Sequence, residues 1–262
     1  MVARNGCPHR RTHAATMSTR KDLWGFYATG GFLRRNVAFA LELAVLANET
    51  GSMRRVFEFA SDGSFMTIHA LARPGLRSTL EHWVTSDVSP NALRHSTWLF
   101  NCGALCVARP RRPLVVPPYW DVTNGTYFVN QTRVDVRSVD VNQLDRVVEV
   151  NDFDTFVTIS FEHIFEDFRF LAMLPCNAWF VFSVPNFGLP KDAETLAASC
   201  RDKRYTQACD KHWHVFRDEG EIRARYGRML RIRRIHRVKH IGSWVKFVVS
   251  GQRTCVKRRD ET

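Results

Sequence analysis

The sequence predicts an α/β domain built in three layers, with a mostly parallel sheet and an antiparallel C-terminal strand. Three observations lead to this prediction: β-rich runs alternate with helix-length segments, polar residues follow the early runs, and two strand-like runs come last. Strands that alternate with helices pair in parallel through right-handed crossovers. The chain has 262 residues, of which 45% are hydrophobic, so it can bury one large core.

Two strand-turn-helix units occupy the first hundred residues. A mostly apolar stretch at residues 32–48 predicts a helix that ends in a cluster of turn residues. A β-rich run at 55–60 is followed by small polar residues and by a helix-compatible segment at 65–72. The second unit places a strand at 83–85, which runs on to an acid, before a helix at 91–99.

The second half continues the alternation after an interruption. Residues 109–118 contain four prolines and predict a loop, because proline neither donates to a β-ladder nor continues a helix. Further strands are expected at residues 132–141, 153–161 and 179–184, with a helix at 166–174. Two last runs, residues 229–238 and 244–250, predict an antiparallel hairpin at a sheet edge.

The chain divides into four expected segments: a basic, disordered leader at 1–21, a helical lead-in at 22–52, the main domain at 53–250 and a basic tail at 251–262. The leader carries four arginines and one lysine, and no acid precedes Asp22. Such a composition also resembles a transit peptide, so a mitochondrial location is the alternative to a cytoplasmic one. A disordered leader is the favoured interpretation.

Composition restricts the class of protein further. With 38 basic and 26 acidic residues, the formal charge of +12 attracts anions such as nucleic acid or phosphorylated substrates. No apolar run approaches the roughly 20 residues of a membrane span, which predicts a soluble protein. The seven cysteines show no disulfide framework and favour a reducing compartment. The spacing of Cys102 and Cys106, with His95 nearby, matches no strong zinc pattern, so no metal is expected.

The residues that follow the predicted strands are the candidates for a ligand site, because open α/β sheets bind ligands at the carboxyl ends of their strands. Asp87 ends the second strand, and a carboxylate there can accept hydrogen bonds from both hydroxyls of a ribose. A turn of small residues after the first strand allows close backbone approach, and the following helix start presents free N–H groups.

Three runs in this order resemble the motifs with which class I S-adenosylmethionine (SAM)-dependent methyltransferases contact their methyl donor. They are Arg-Val-Phe-Glu-Phe-Ala-Ser-Asp-Gly-Ser-Phe from residue 55, Thr-Ser-Asp-Val-Ser-Pro-Asn-Ala-Leu from residue 85, and Ile-Ser-Phe-Glu-His-Ile from residue 159. The later runs at 181–187 and 221–232 resemble the fifth strand and the approach to the sixth. The resemblance covers residues 53 to 250 and implies a Rossmann-like fold, SAM as cofactor and transfer of a methyl group to an unidentified acceptor.

Carried over to this sequence, the resemblance assigns a role to each strand-end residue. Glu58 would be the acid of the first-strand motif, followed by the donor-binding turn that contains Ala60, Asp62 and Gly63. Asp87 would bind the ribose with Val88 beside it, and Asp140 would flank the adenine. The pocket in which donor and acceptor meet would be lined by residues Ser160, Glu162 and His163.

The turn departs from the family pattern, in which glycines stand at alternate positions. Those positions here are Ala60, Asp62 and Ser64, and Gly63 lies between them unless the loop is shifted by one residue. A Cβ at each position can hinder close approach to methionine, and the Asp62 carboxylate can repel that of methionine. An inactive methyltransferase-like binding protein is therefore the alternative to an enzyme.

His163 is the candidate catalytic base, because histidine titrates near neutral pH. Its alternative is a packing role at a helix start, since an activated methyl group can transfer through positioning alone. The candidate substrate contacts are His212, Trp213 and His214, in a segment resembling one that closes over the acceptor; the alternative is a surface loop. The late arginine cluster could bind nucleic acid, but a solvated face is the favoured interpretation.

Overall fold

The computed structural model describes residues 30–101, 122–141, 148–159, 161, 164, 167–186, 216–239 and 245–255. Within these ranges the strands are β1 Arg55–Phe59, β2 His82–Asp87, β3 Gly125–Val129, β4 Thr132–Ser138, β5 Thr155–Thr158, β6 Trp179–Asn186, β7 Leu230–Lys239 and β8 Val245–Arg253. The helices are α1 Gly30–Thr50, α2 Phe65–Leu71, α3 Pro74–Arg77, α4 Pro90–Asn101, α5 Asp167–Met173 and α6 Glu219–Tyr226, with a 3-10 turn at Val148–Asp152.

The strands form one mixed sheet in the order β3-β4-β2-β1-β5-β6-β8-β7. The five strands from β4 to β6 in this order are parallel to one another, whereas β3 and β8 run antiparallel to them. Since β7 is antiparallel to β8, it points the same way as the parallel strands. This arrangement confirms the predicted α/β class, with its mostly parallel sheet and antiparallel C-terminal strand.

The connection from β4 to β5 creates the topological switch point of the sheet. The chain moves outward from β1 through β2 to β4 and then returns to pair on the other side of β1. The carboxyl ends of β1 and β5 therefore flank the place where the strand order reverses, and such a crevice is where open α/β sheets bind ligands.

Two hydrophobic cores, one on each face of the sheet, result from the alternation of side chains along the strands. On β1, Phe57 points into a cluster rich in phenylalanine, whereas Val56 points into a largely aliphatic cluster. The first cluster, called here the aromatic face, packs Phe161, Phe182 and Tyr226 with ring centroids 4.7 to 5.6 Å apart. The second, the aliphatic face, is covered by α1.

The lead-in helix α1 is fastened to the antiparallel edge of the sheet by a buried carboxylate. Glu42 accepts hydrogen bonds from Arg234 Nε (2.9 Å), His236 Nε2 (2.8 Å) and Ser250 Oγ (2.5 Å). A buried charge is stable only when it is paired and hydrogen-bonded, and this one has three partners. The helix predicted over 32–48 is thus present, and it is an integral part of the fold.

Several boundaries differ from those predicted. β3 was not predicted as a strand; it joins β4 through Asn130-Gln131, which lacks the Asn-Gly pattern typical of two-residue hairpins. β4 and β5 are shorter than the predicted runs, ending at Ser138 and Thr158. β8 continues to Arg253 because its last residues still pair with β6 and β7. Among the described helices, none combines the length and the apolar character needed to cross a membrane.

Candidate ligand site at the carboxyl ends of the parallel strands

The loop after β1, residues 60–64 and called here the first-strand loop, has an unusual backbone. The φ angle is positive at Ala60 (50°), Asp62 (50°), Gly63 (87°) and Ser64 (66°). Glycine adopts such angles freely, whereas other residues lose about 1 to 2 kcal/mol in them. The three positions at which the resembled family carries glycine thus keep a glycine-like backbone, and so does Gly63 between them.

Backbone hydrogen bonds tie the first-strand loop to the end of β2. The Ser61 N–H donates to Ser86 O at 3.0 Å, and the Ser64 N–H donates to Ser61 O at 3.0 Å. The Asp62 N–H donates to Asp87 Oδ2 at 3.1 Å. These contacts hold a conformation that the residue types alone disfavour, because the surrounding structure over-determines it.

The side chain of Ser64 is accommodated inside the protein. Ser64 is fully buried, and its Oγ donates to Ser96 Oγ at 2.7 Å and lies 2.8 Å from Thr85 Oγ1. The hydroxyl thereby joins the loop to β2 and α4. Replacement of glycine at this position is therefore compensated by hydrogen bonds within the protein.

A contact with helix α4 explains why residue 63 is a glycine. A Cβ at this position would stand 2.9 Å from His95 Nδ1, and φ is +87°. The same His95 nitrogen is 3.1 Å from Gly63 O, within hydrogen-bond distance, while the ring packs 4.8 Å from that of Phe65. Glycine at residue 63 is thus required by the contact of the loop with His95.

Asp87 lies at the end of β2, where it was expected, and is 8% exposed. Besides accepting the Asp62 N–H, it accepts the Ser89 N–H on Oδ1 at 2.8 Å. The helix-capping role falls to Ser89, whose Oγ accepts the Ala92 N–H at 3.4 Å. Each carboxylate oxygen has capacity for a second hydrogen bond, so the acid can organise the loop and still accept hydroxyl donors.

The next two predicted residues lie beside Asp87. Val88 exposes 61% of its surface, and the Val139 N–H donates to Asp87 O at 3.2 Å. That bond places the segment containing Asp140 next to the end of β2. The structure therefore brings Asp87, Val88 and the Asp140 segment together at one edge of the sheet.

Glu58 lies beneath the first-strand loop and is fully buried. Its Oε2 accepts hydrogen bonds from Thr67 Oγ1 on α2 and from Trp83 Nε1 at 3.0 Å. Burial raises the pKa of Glu58 to about 7, although the hydrogen bonds from Thr67 and Trp83 oppose the shift. The contacts of this carboxylate support the loop from within the core.

Two buried hydroxyl groups at the switch point have no hydrogen-bond partner among the described residues. They are Ser61 Oγ in the first-strand loop and Thr158 Oγ1 at the end of β5. Thr158 pairs in register with Phe59, the last residue of β1. Unsatisfied buried polar atoms are rare in folded proteins, and in a crevice they indicate that a polar ligand or water completes the site.

Helix α1 also reaches the end of β5, a contact that was not predicted. Buried Arg35 directs its Nη1 towards Ile159 O at 3.5 Å, and Ser183 Oγ donates to the same carbonyl at 2.6 Å. The lead-in helix therefore contributes a guanidinium group close to the candidate site. A charged residue inside an apolar helix pattern was the available signal.

The remaining predicted site residues lie outside the described residues: Ser160, Glu162, His163, His212, Trp213 and His214. Their neighbours Phe161 and Ile164 are buried in the aromatic face. Sequence reasoning also missed Ser96, Thr85 and His95, which shape the first-strand loop from below. Within the described parts of the chain, no three His, Cys, Asp or Glu side chains converge as metal ligands.

Comparison with known proteins supports the fold through structure alone. No protein-family model and no curated protein sequence matches the chain. The DszA carbon methyltransferase is 16% identical with a TM-score of 0.53, covering 90% of this chain and 58% of that one. Magnesium protoporphyrin IX methyltransferase (ChlM) from Synechocystis PCC 6803, with bound SAH, is 13% identical with a TM-score of 0.50, covering 89% and 94%.

A third similar structure is the methyltransferase domain of bacterial CtHen1-C, at 13% identity and a TM-score of 0.50. The alignment covers 84% of this chain and 100% of that domain. At these identities the likeness establishes the fold alone, the Rossmann-like α/β fold that this chain shares with these methyltransferases.

Proposed function

We propose that this chain is a SAM-dependent methyltransferase that transfers a methyl group to an acceptor bound at the carboxyl ends of the parallel strands. The observation that carries the proposal is the first-strand loop. Its backbone keeps positive φ at Ala60, Asp62 and Ser64, and it is hydrogen-bonded to Asp87 at the switch point of a methyltransferase-type sheet. A strained conformation that persists at such a position is typical of a ligand-binding loop.

The residues at the site are suited to the parts of SAM. Asp87 would accept the ribose hydroxyls, and the exposed side chain of Val88 would lie against the adenine, with Asp140 flanking it. The backbone of the first-strand loop would lie along the methionine portion of SAM. The buried hydroxyls of Ser61 and Thr158, which have no hydrogen-bond partner among the described residues, would find acceptors or donors on a polar ligand.

SAM supplies a methyl group that its sulfonium charge has already activated. The protein's task is then to exclude water and to hold the acceptor in line with that group. His163 is the proposed base for acceptors that must lose a proton, and His212, Trp213 and His214 are the proposed acceptor contacts. The end of β5, from which the His163 segment departs, is held by the hydrogen bond of Ser183 to Ile159 O.

A methyltransferase-like binding protein without activity is the second candidate. Ala60 and Asp62 add side chains to a turn that carries glycine in the family, and the Asp62 carboxylate would stand close to that of methionine. Like charges at short range weaken binding. This candidate predicts a preference for ligands without the methionine carboxylate.

Calorimetric titration with SAM and with S-adenosylhomocysteine tests the proposal. The wild type is expected to bind both, and Asp87→Ala should weaken binding by about 100-fold, because the loop loses an acceptor and the ribose loses its partner. Glu81→Ala, at the opposite end of β2, is the matched control and should bind normally. Wild-type protein that binds neither compound would refute the enzyme proposal, and binding without transfer of a labelled methyl group would favour the binding protein.

A further inference from the structure

Strand β7 ends the sheet, and no described strand pairs with its outer edge. The segment 216–239, which contains α6 and β7, carries eight arginines and one lysine. Five of these arginines are engaged in ion pairs with nearby acids: Arg217, Arg223, Arg225, Arg233 and Arg234. A role in ion pairs, at the solvated surface or within the fold, is sufficient to explain the presence of these five arginines.

The other four cations have no such explanation. Arg228, Arg231, Arg237 and Lys239 are exposed, and none has an acidic side chain within salt-bridge distance among the described residues. From Arg231 to Lys239 the strand extends about 26 Å at about 3.3 Å per residue. Together with Arg228, which lies in the turn before β7, the three strand residues form what is called here the β7 basic edge.

The register of the sheet connects the β7 basic edge with the candidate ligand site. Arg237 is level with Phe247 on β8, which is level with Val184 near the carboxyl end of β6. Lys239 lies two residue pairs further along the same direction, level with Asn186. The basic edge therefore runs towards the carboxyl ends of the parallel strands, and three strand spacings, about 14 Å, separate it from β5.

We infer that the methyl acceptor is a nucleic acid whose phosphate backbone lies along the β7 basic edge and leads to the ligand site. This inference rests on the proposed methyltransferase function and adds the class of acceptor. Three of the four cations are arginines, whose planar guanidinium group binds phosphate through paired hydrogen bonds. The bulge between Ile232 and Arg234 places Arg231, which pairs with Gln252, on the opposite face of the strand from Arg237, which pairs with Phe247. Cations on both faces of an exposed edge can neutralise the phosphates of a polyanion that lies along this edge, which releases counterions.

The same surface is poorly suited to a lipid bilayer. The large hydrophobic side chains that the described residues expose are Leu41, Val45, Val88, Val122, Phe128 and Phe168, and none of them lies on α6 or β7. Binding at a membrane surface uses apolar anchors beside the charges. An acidic polypeptide remains the competing partner, and the experiment separates it from nucleic acid.

Fluorescence anisotropy with a short fluorescein-labelled RNA, and with a DNA duplex of the same sequence, tests the surface. Affinity for at least one is expected to fall steeply between about 50 and 200 mM salt. The double variant Arg231→Gln/Arg237→Gln should bind about tenfold more weakly, and its salt slope should be smaller by about 1 to 2. The matched control, Arg54→Gln/Arg77→Gln, removes the same charge at the other end of the strands and should bind like wild type.

Equal weakening of nucleic-acid binding in both double variants would show that the attraction depends on net charge alone, and would overturn the inference. Tighter binding of polyglutamate than of either nucleic acid would also overturn it. Titration of the same samples with SAM keeps the two proposals apart. Normal SAM binding without nucleic-acid binding defeats only the acceptor class. Nucleic-acid binding without methyl transfer to it, in a protein that binds SAM, also defeats the acceptor role; failure to bind SAM defeats the methyltransferase proposal itself.

Discussion

Both ends of the parallel strands carry polar groups, but those described at the amino end are exposed to water and those described at the carboxyl end are buried. At the amino end, a cleft of about 410 Å³ is lined by Gly51, Arg54, Arg77, Ser78, Thr79, Leu80, Glu81 and Gln131. Arg54 and Glu81 pair there at 3.2 Å with 67% and 57% of their side chains exposed. At the carboxyl end, by contrast, Glu58, Ser61, Ser64 and Thr158 are all at most 1% exposed.

This comparison shows that the two ends differ in whether their polar groups reach water. Exposed polar groups at the amino end are satisfied by water and by each other, and a surface ion pair contributes only about 0 to 1 kcal/mol. At the carboxyl end the polar groups have lost water, and two hydroxyls have gained no hydrogen-bond partner within the part of the chain that the structure describes. Desolvated polar groups and strained backbone are features with a cost, and they concentrate at functional sites.

The largest effect that would test this contrast is expected from Glu58→Gln. Burial raises the pKa of Glu58 to about 7, so the folded state holds a proton that the unfolded chain releases near pH 4.5. The protonated Glu58 side chain therefore contributes its full stabilisation of the folded state below about pH 4.5. This contribution declines as the pH rises and is lost above about pH 7. Relative to wild type, Glu58→Gln should gain up to about 3 kcal/mol of unfolding free energy between pH 4.5 and 8.

Urea denaturation at a series of pH values measures this difference. Thr67→Val removes a hydrogen bond that lowers the pKa of Glu58. In this variant the pH-dependent loss of stability should therefore occur at a higher pH than in wild type. If the difference in stability between wild type and Glu58→Gln does not change with pH, Glu58 does not titrate in this range.

A smaller effect is expected from alanine at two glycines that share positive φ but lie at opposite ends. Gly63→Ala meets His95 Nδ1 at 2.9 Å, whereas a Cβ at Gly51 meets no atom within 4 Å. Backbone strain costs both variants about 1 kcal/mol, and crowding adds about 2 kcal/mol at Gly63 alone. Thermal unfolding measures both, and equal losses would mean that His95 does not confine the loop.

The smallest effect concerns Ala60→Gly. Relief of positive-φ strain outweighs the greater flexibility of glycine in the unfolded chain, so the variant should be stabilised by about 0.5 to 1 kcal/mol. Ser64→Gly relieves the same strain but loses the bonds of its hydroxyl to Thr85 and Ser96, so it should gain nothing. Chemical denaturation distinguishes the two; a destabilised Ala60→Gly would contradict the strained conformation of the loop.

Local patterns in the sequence were sufficient to predict most of the architecture. The runs at 55–60 and 179–184, the lead-in helix and the final antiparallel hairpin follow from residue types that are adjacent in the chain. The position of Asp87 at a strand end was predictable for the same reason. β3 escaped prediction because its turn lacks the usual glycine.

Only the tertiary structure decided what the altered turn means. From the sequence, Ala60, Asp62 and Ser64 replace glycines and suggest a lost loop; in the fold, hydrogen bonds from β2 and α4 hold their backbone in the glycine-like conformation. The contact of Gly63 with His95, 32 residues away, depends on the packing of α4 against the loop. Residue type sets local preference, but contacts between distant segments determine whether a disfavoured conformation is kept.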